Sequence, residues 1–193
     1  MTIRHESLKD SPPIRHFSVQ DYHYMGEFGI LKVGERLELI AGEIIQMSPI
    51  GCLHADWVDR LTRFFIKKLP ETITVRTQNP IHLDNYNEPQ PDLALVRSRV
   101  QPYCEAHPTP QDILLIIEVA ETTLHYDRHT KIPLYARHNI PEVWLFDLQN
   151  NQLEIYRAPQ EGDYHLILKP LQQEQVTLIE LPEVNVVLAQ LFV

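Results

Sequence analysis

No stretch of this chain approaches the ~20 successive apolar residues that a bilayer-spanning helix needs. Its most apolar run, Ile113 to Ile117, has the length of a strand. The first residues, "MTIRHESLKDSPP", lack the apolar core of a secretory signal. They are polar, close on two prolines and read as a flexible leader over 1–16. Cysteine is scarce: Cys52 and Cys104 lie far apart, without the spacing of a metal knuckle or a disulfide framework. They read as reduced thiols, which makes the expected location cytoplasmic. Positive charge is also in deficit, 17 Lys and Arg against 26 Asp and Glu, for a formal net charge of −9. That balance argues against a protein whose main work is gripping nucleic acid through its phosphates. It leaves room for nucleic-acid chemistry at a metal site, where bound cations bring the positive charge and carboxylates hold them.

What is present is an ordinary globular composition, 44% hydrophobic and 22% charged. The 193 residues suit one domain, placed at 17–193, with no repeat or low-complexity tract. "FSVQDYHYMGEFG" reads as a short helix with Ser18 as N-cap and Gly29 as its stop. "ERLELIAGEIIQM" reads as a β-hairpin turning at Ala41-Gly42. From "GCLHADWVDRLTRFFIKKLP" the period becomes helical: Leu53, Trp57, Val58, Leu61, Phe64, Phe65 and Leu69 share a face, and Pro70 ends it. Strands follow in "TITVRT" and "PDLALVR", and a proline-rich loop spans 99–111. "DILLIIEVA" then reads as a strand buried on both faces. Pro133 places the start of the next helix near Thr130, because a first-turn residue needs no partner for its N–H. "EVWLFDL", "QLEIYR", "DYHLILK" and "VTLIELPEVNVVL" are further β segments. The expected fold class is α/β (α+β), a central mixed sheet with one helical crossover between the buried strands.

Two carboxylates stand out. Asp92 opens a core strand after Pro91, and Glu118 ends the most apolar strand, where burying an unpaired charge is costly. They could converge on one Mg²⁺, which takes one or two carboxylates plus water. Lys131, at the start of the following helix, is the candidate to stabilise developing charge or position the attacking water. The residues alone leave other readings open: Asp92 as a turn cap, Glu118 in a structural pair with Arg128 or Lys131. Accessory candidates are Glu38 and Glu43 in the hairpin, His54 at the head of the long helix, and Gln90. Glu121 reads as solvated. His125 and His129 are four apart, but the helix start inferred from Pro133 keeps them from forming a zinc pair.

"QPDLALV", "LLIIEVAETT", "YDRHTKIPLYARHNIPEVWLFDL" and "ERLELIAGEIIQMSPIGCLHADWV" together resemble the Uma-type endonuclease family of the PD-(D/E)XK nuclease superfamily. The likeness spans roughly 17 to 160. It implies a restriction-endonuclease-like core and metal-dependent hydrolysis of DNA phosphodiesters, leaving a 5′-phosphate and a 3′-hydroxyl. It assigns Asp92 and Glu118 as ligands of Mg²⁺ (or Mn²⁺). The superfamily lysine belongs two positions after the second acid, where this chain has Ala120. Lys131 fits the variant in which the lysine has moved to the next helix. The implied partner is DNA, with no membrane, and a homodimer suits a two-strand cut. The competing expectations are an inactive nuclease-like module used for binding or assembly, and a hydrolase of another phosphodiester.

Overall fold

The computed structural model describes residues 13–99 and 103–192. Residues 1–12 of the expected leader and part of the 99–111 loop lie outside the described residues. The first helix, α1 (Val19–Glu27), starts as its sequence predicts. Ser18 accepts the Asp21 N–H, and Asp21 in turn accepts the Ser18 N–H at 2.9 Å, a reciprocal cap that satisfies otherwise orphaned donors. The hairpin pairs β1 (Leu37–Ile40) with β2 (Glu43–Gln46) through Ala41 and Gly42. Both turn residues have positive φ, the backbone twist that two-residue hairpins need. A side chain at Gly42 would also strike His16, 2.5 Å from its own Cβ.

The long helix, α2 (Cys52–Lys68), buries Trp57, Val58, Leu61 and Phe65 on one face. Leu53 departs from the expected stripe: it is exposed, whereas Trp57, Val58, Leu61 and Phe65 are buried. Six strands build the central sheet in sequence order: β3 (Ile73–Thr77), β4 (Leu93–Arg97), β5 (Ile113–Ala120), β6 (Glu142–Asp147), β7 (Gln152–Gln160) and β8 (Asp163–Leu168). Only β5 and β6 run parallel, so only they need a crossover helix. A small β9 (Gln175–Thr177) and β10 (Asn185–Val187) pair follows.

Every residue of β5 is buried, as its unbroken apolar run requires. Alternation then sorts side chains to two cores. Leu115, Ile117 and Val119 join Trp144, Phe146 and α2, while Ile116 and Ala120 join Ala94, Val96 and the crossover helix. Glu118 shares parity with Ile116 and Ala120, and Asp92 with Ala94 and Val96. Both acids therefore face the crossover helix from neighbouring strands.

That helix, α3, corrects the expected start at Thr130. It runs as Leu124–Tyr126, then a π-helical Asp127–Lys131, then Ile132–Arg137. The Ile132 N–H reaches back five residues to the Asp127 carbonyl. The wider turn shifts the hydrogen-bond register just before Pro133, so a ring without an N–H is accommodated inside a continuous helix. His125 and His129 consequently lie on the helix, with rings stacked at 4.3 Å, rather than ahead of it.

Away from the acids of the site, buried carboxylates have dedicated partners. Arg128 grips Glu154 through two bonds of 3.1 Å, aided by Tyr156 and Lys169. Arg99 and the Thr109 cap hold Asp112. Burial would raise both carboxyls, but these partners hold them below the usual carboxylate range. A depressed folded pKa means stability that is present above the unfolded value near 4 and is lost as pH falls through the folded one. The contribution of these two carboxyls should thus be complete above about pH 5 and be lost below about pH 4, read by circular dichroism as a fall in melting temperature on the acid side. Glu154→Gln should flatten that fall, since an amide has no proton to take up.

Candidate active site

A cavity of about 360 Å³ opens where the hairpin, the start of α2, the ends of β4 and β5, and α3 meet. Asp92, Glu118, Lys131, Glu38, His54 and Gln90 all line it. Asp92 immediately precedes β4, and its carboxylate accepts the Val119 N–H at 2.9 Å. It is thereby fastened to the residue after Glu118. His54 Nε2 approaches it at 3.1 Å and Gln78 donates to it at 3.3 Å. Burial would raise the Asp92 carboxyl, but His54, Lys131 and the Val119 N–H together hold it below the ordinary range. The same contact raises the His54 pKa.

Lys131 does reach the second acid. Its Nζ lies 2.9 Å from Glu118 Oε1 and 3.4 Å from Glu38 Oε2. A lysine at position 131 reaches Glu118 because α3 folds back over the end of β5. Glu38 is buried, and it also accepts the Gln90 N–H at 3.1 Å. Gln90 thus takes part through its backbone. Glu43 does not join them: it is exposed at the start of β2 and lines no part of the cavity. Glu121 is not simply solvated, because it lines the cavity over the head of α2, close to Gly51.

Three further residues belong to this constellation. Tyr135 donates to Glu118 Oε1 at 2.6 Å, Tyr126 donates to Glu38 at 3.4 Å, and Asp127 accepts from Thr123 at 2.6 Å. Asp127, Lys131 and Tyr135 recur every four positions, which is the helical signature of one face. Starting the helix at Thr130 hid that signature.

Charge does not balance on the cavity floor. Glu38, Asp92, Glu118 and Asp127 are buried carboxylates, and Lys131 is the single buried ammonium among the described residues. Burial, offset by Lys131 and reinforced by Asp127 and Asp92, pushes the Glu118 carboxyl up to about 8. Lys131 shifts the other way from a buried amine, well above its ordinary value, because Glu118 and Glu38 outweigh its desolvation. Among the described residues no three His, Cys, Asp or Glu side chains are grouped to hold a metal ion, so a hard cation here would meet at most a carboxylate pair, with water completing its oxygen ligands.

The family model described as "Putative restriction endonuclease" matches residues 19–189. The chain belongs to the Uma2 family. A solved structure with the same fold is a protein of Anabaena variabilis ATCC 29413, described as "a putative nuclease belonging to DUF820". It shares 15% identity with this Uma2 chain, with a TM-score of 0.68 over 93% of this chain and 98% of that one. A comparison with curated proteins found no match. Among the described residues of this Uma2 member, no helix is long and apolar enough to cross a membrane.

Proposed function

We propose that this Uma2 chain is a metal-dependent endonuclease that hydrolyses DNA phosphodiester bonds. The observation that carries the reading is the 2.9 Å contact of Lys131 with Glu118, in the cavity that Asp92 also lines. Asp92 and Glu118 would hold Mg²⁺ (or Mn²⁺). Such an ion, when bound, polarises a phosphoryl oxygen and lowers the pKa of a bound water.

The rest is done by the chain. The Val119 N–H and His54 orient the Asp92 carboxylate, and outer partners of this kind tune ligand geometry. Lys131 keeps its proton and places a fixed positive charge at the cavity floor, where negative charge develops on a phosphoryl group under attack. Glu38, held by the Gln90 N–H and Tyr126, keeps the Lys131 ammonium from withdrawing into the helix surface. The net charge of −9 fits a protein that meets DNA at a small, cation-loaded patch rather than along a basic groove.

The test is a cleavage assay on plasmid and oligonucleotide DNA with Mg²⁺ or Mn²⁺, alongside calorimetric titration of each metal. Expected results are metal-dependent nicking or cutting, abolished by chelator, and saturable metal binding. Absence of metal binding in the calorimeter would leave the inactive-module reading standing instead.

A further inference from the structure

We infer that Tyr135 is a positioning residue that sets which oxygen of Glu118 faces the cavity. This rests on the reading of Glu118 as a metal-holding carboxylate. Tyr135 lies fully inside the second core, on the face of α3 that covers β5, and is among the largest completely buried side chains. A phenol there needs a hydrogen-bond partner. It takes Glu118 Oε1, at 2.6 Å, and Lys131 approaches that same oxygen at 2.9 Å.

Two donors on one oxygen do what neither does alone. A carboxylate held by one contact can rotate about its last bond and exchange its oxygens. With an ammonium and a hydroxyl set one helical turn apart, both on Oε1, that oxygen is pinned to α3, which leaves Oε2 as the oxygen available to the cavity that Glu118 lines. The spacing of Lys131 and Tyr135 along α3 makes this possible, since side chains four apart lie over the same patch of the strand beneath. Glu118 receives its ammonium and its hydroxyl from one rigid element, so the two cannot move apart without breaking the helix.

The chemistry sorts the two donors by role. Lys131 brings charge and also serves Glu38. Tyr135 brings direction only: as a neutral donor it adds nothing to the balance of charge, and its whole contribution is geometric. Removing its hydroxyl should therefore loosen metal binding without emptying the site of positive charge.

Tyr135→Phe keeps the ring and deletes the donor. The expected result is a roughly 10- to 100-fold weaker Mn²⁺ affinity by calorimetry, the usual cost of losing an outer-shell partner. Cleavage at sub-saturating Mn²⁺ should fall alike and return towards wild type as Mn²⁺ is raised, a rescue that a merely misfolded variant does not show. Tyr164→Phe removes from the same core a hydroxyl that donates to the Ile140 carbonyl at 2.7 Å and lines no part of the cavity, and it should leave metal affinity within about twofold. Tyr135→Phe with wild-type metal affinity overturns the inference. If Glu118→Gln also binds metal like the wild type, the assignment of Glu118 falls, and not only the part played by Tyr135. A Tyr135→Phe loss that no concentration of Mn²⁺ restores would likewise overturn a purely positioning role.

Discussion

Asp92→Asn and Glu118→Gln should each cut Mg²⁺-dependent DNA cleavage by about a thousandfold or more, while the chain stays folded. An ion at a phosphoryl group supplies several kcal/mol of charge stabilisation, and each ~1.4 kcal/mol is a factor of ten. Both substitutions keep the shape of the side chain and remove its charge. In the Asp92→Asn variant the amide oxygen can still accept the Val119 N–H, so the link between β4 and β5 persists. In the Glu118→Gln variant the amide oxygen can still accept from Tyr135. That change also relieves the crowding of four buried acids, so its melting temperature should not drop. Loss of activity without loss of fold, together with loss of calorimetric metal binding, is the expected pair of results. Variants with wild-type cleavage would dismiss both residues as ligands.

Lys131→Met should be the most damaging single change to the chain, because it strikes stability and chemistry together. Removing one partner from a buried ionic cluster typically costs about 3–5 kcal/mol, since the opposite charges remain behind unpaired. Here Glu38 and Glu118 both lose their ammonium while Asp92 and Asp127 stay nearby. At roughly 2–4 °C per kcal/mol for a chain of this size, the melting temperature should fall by about 10 °C. Added Mn²⁺ should recover part of that loss, because a bound cation restores the missing charge, whereas cleavage should stay low. Lys131→Arg should rescue incompletely, because a planar guanidinium does not reproduce a point ammonium set 2.9 Å from Glu118 and 3.4 Å from Glu38. A Lys131→Met protein that melts like the wild type would mean that the cluster is already neutralised by protons.

The way these residues meet explains what could be read from the sequence and what could not. β5 and β6 announce themselves through unbroken apolar runs, and the hairpin through Ala41-Gly42, because each signal is local. Asp92 and Glu118 could be paired because both sit at the ends of neighbouring core strands. Glu38 was visible as an acid in a strand. Its burial depends on Gln90 and Lys131, which approach from far along the chain, and no local pattern reports that. A tyrosine at a helical apolar position reads as core, so nothing local marks the Tyr135 hydroxyl as a partner of Glu118. The start of α3 was misplaced for a definite reason. A proline rule that holds for a regular α-helix fails where a π-turn has already moved the hydrogen bonds. Asp127 was lost with it.

The cavity takes Glu38 from a hairpin, His54 from the head of α2, Asp92 and Glu118 from adjacent strands, and Lys131 from the crossover that must close before β6 can pair. Lys131 is also the last of these to leave a ribosome. Until α3 has folded back, a nascent chain holds its acids without their ammonium, in strands that have no neighbour on the β6 side. A DNA-cutting centre of the proposed kind is therefore incomplete until the crossover has been made. Only when α3 closes on β5 do the five segments meet at one cavity.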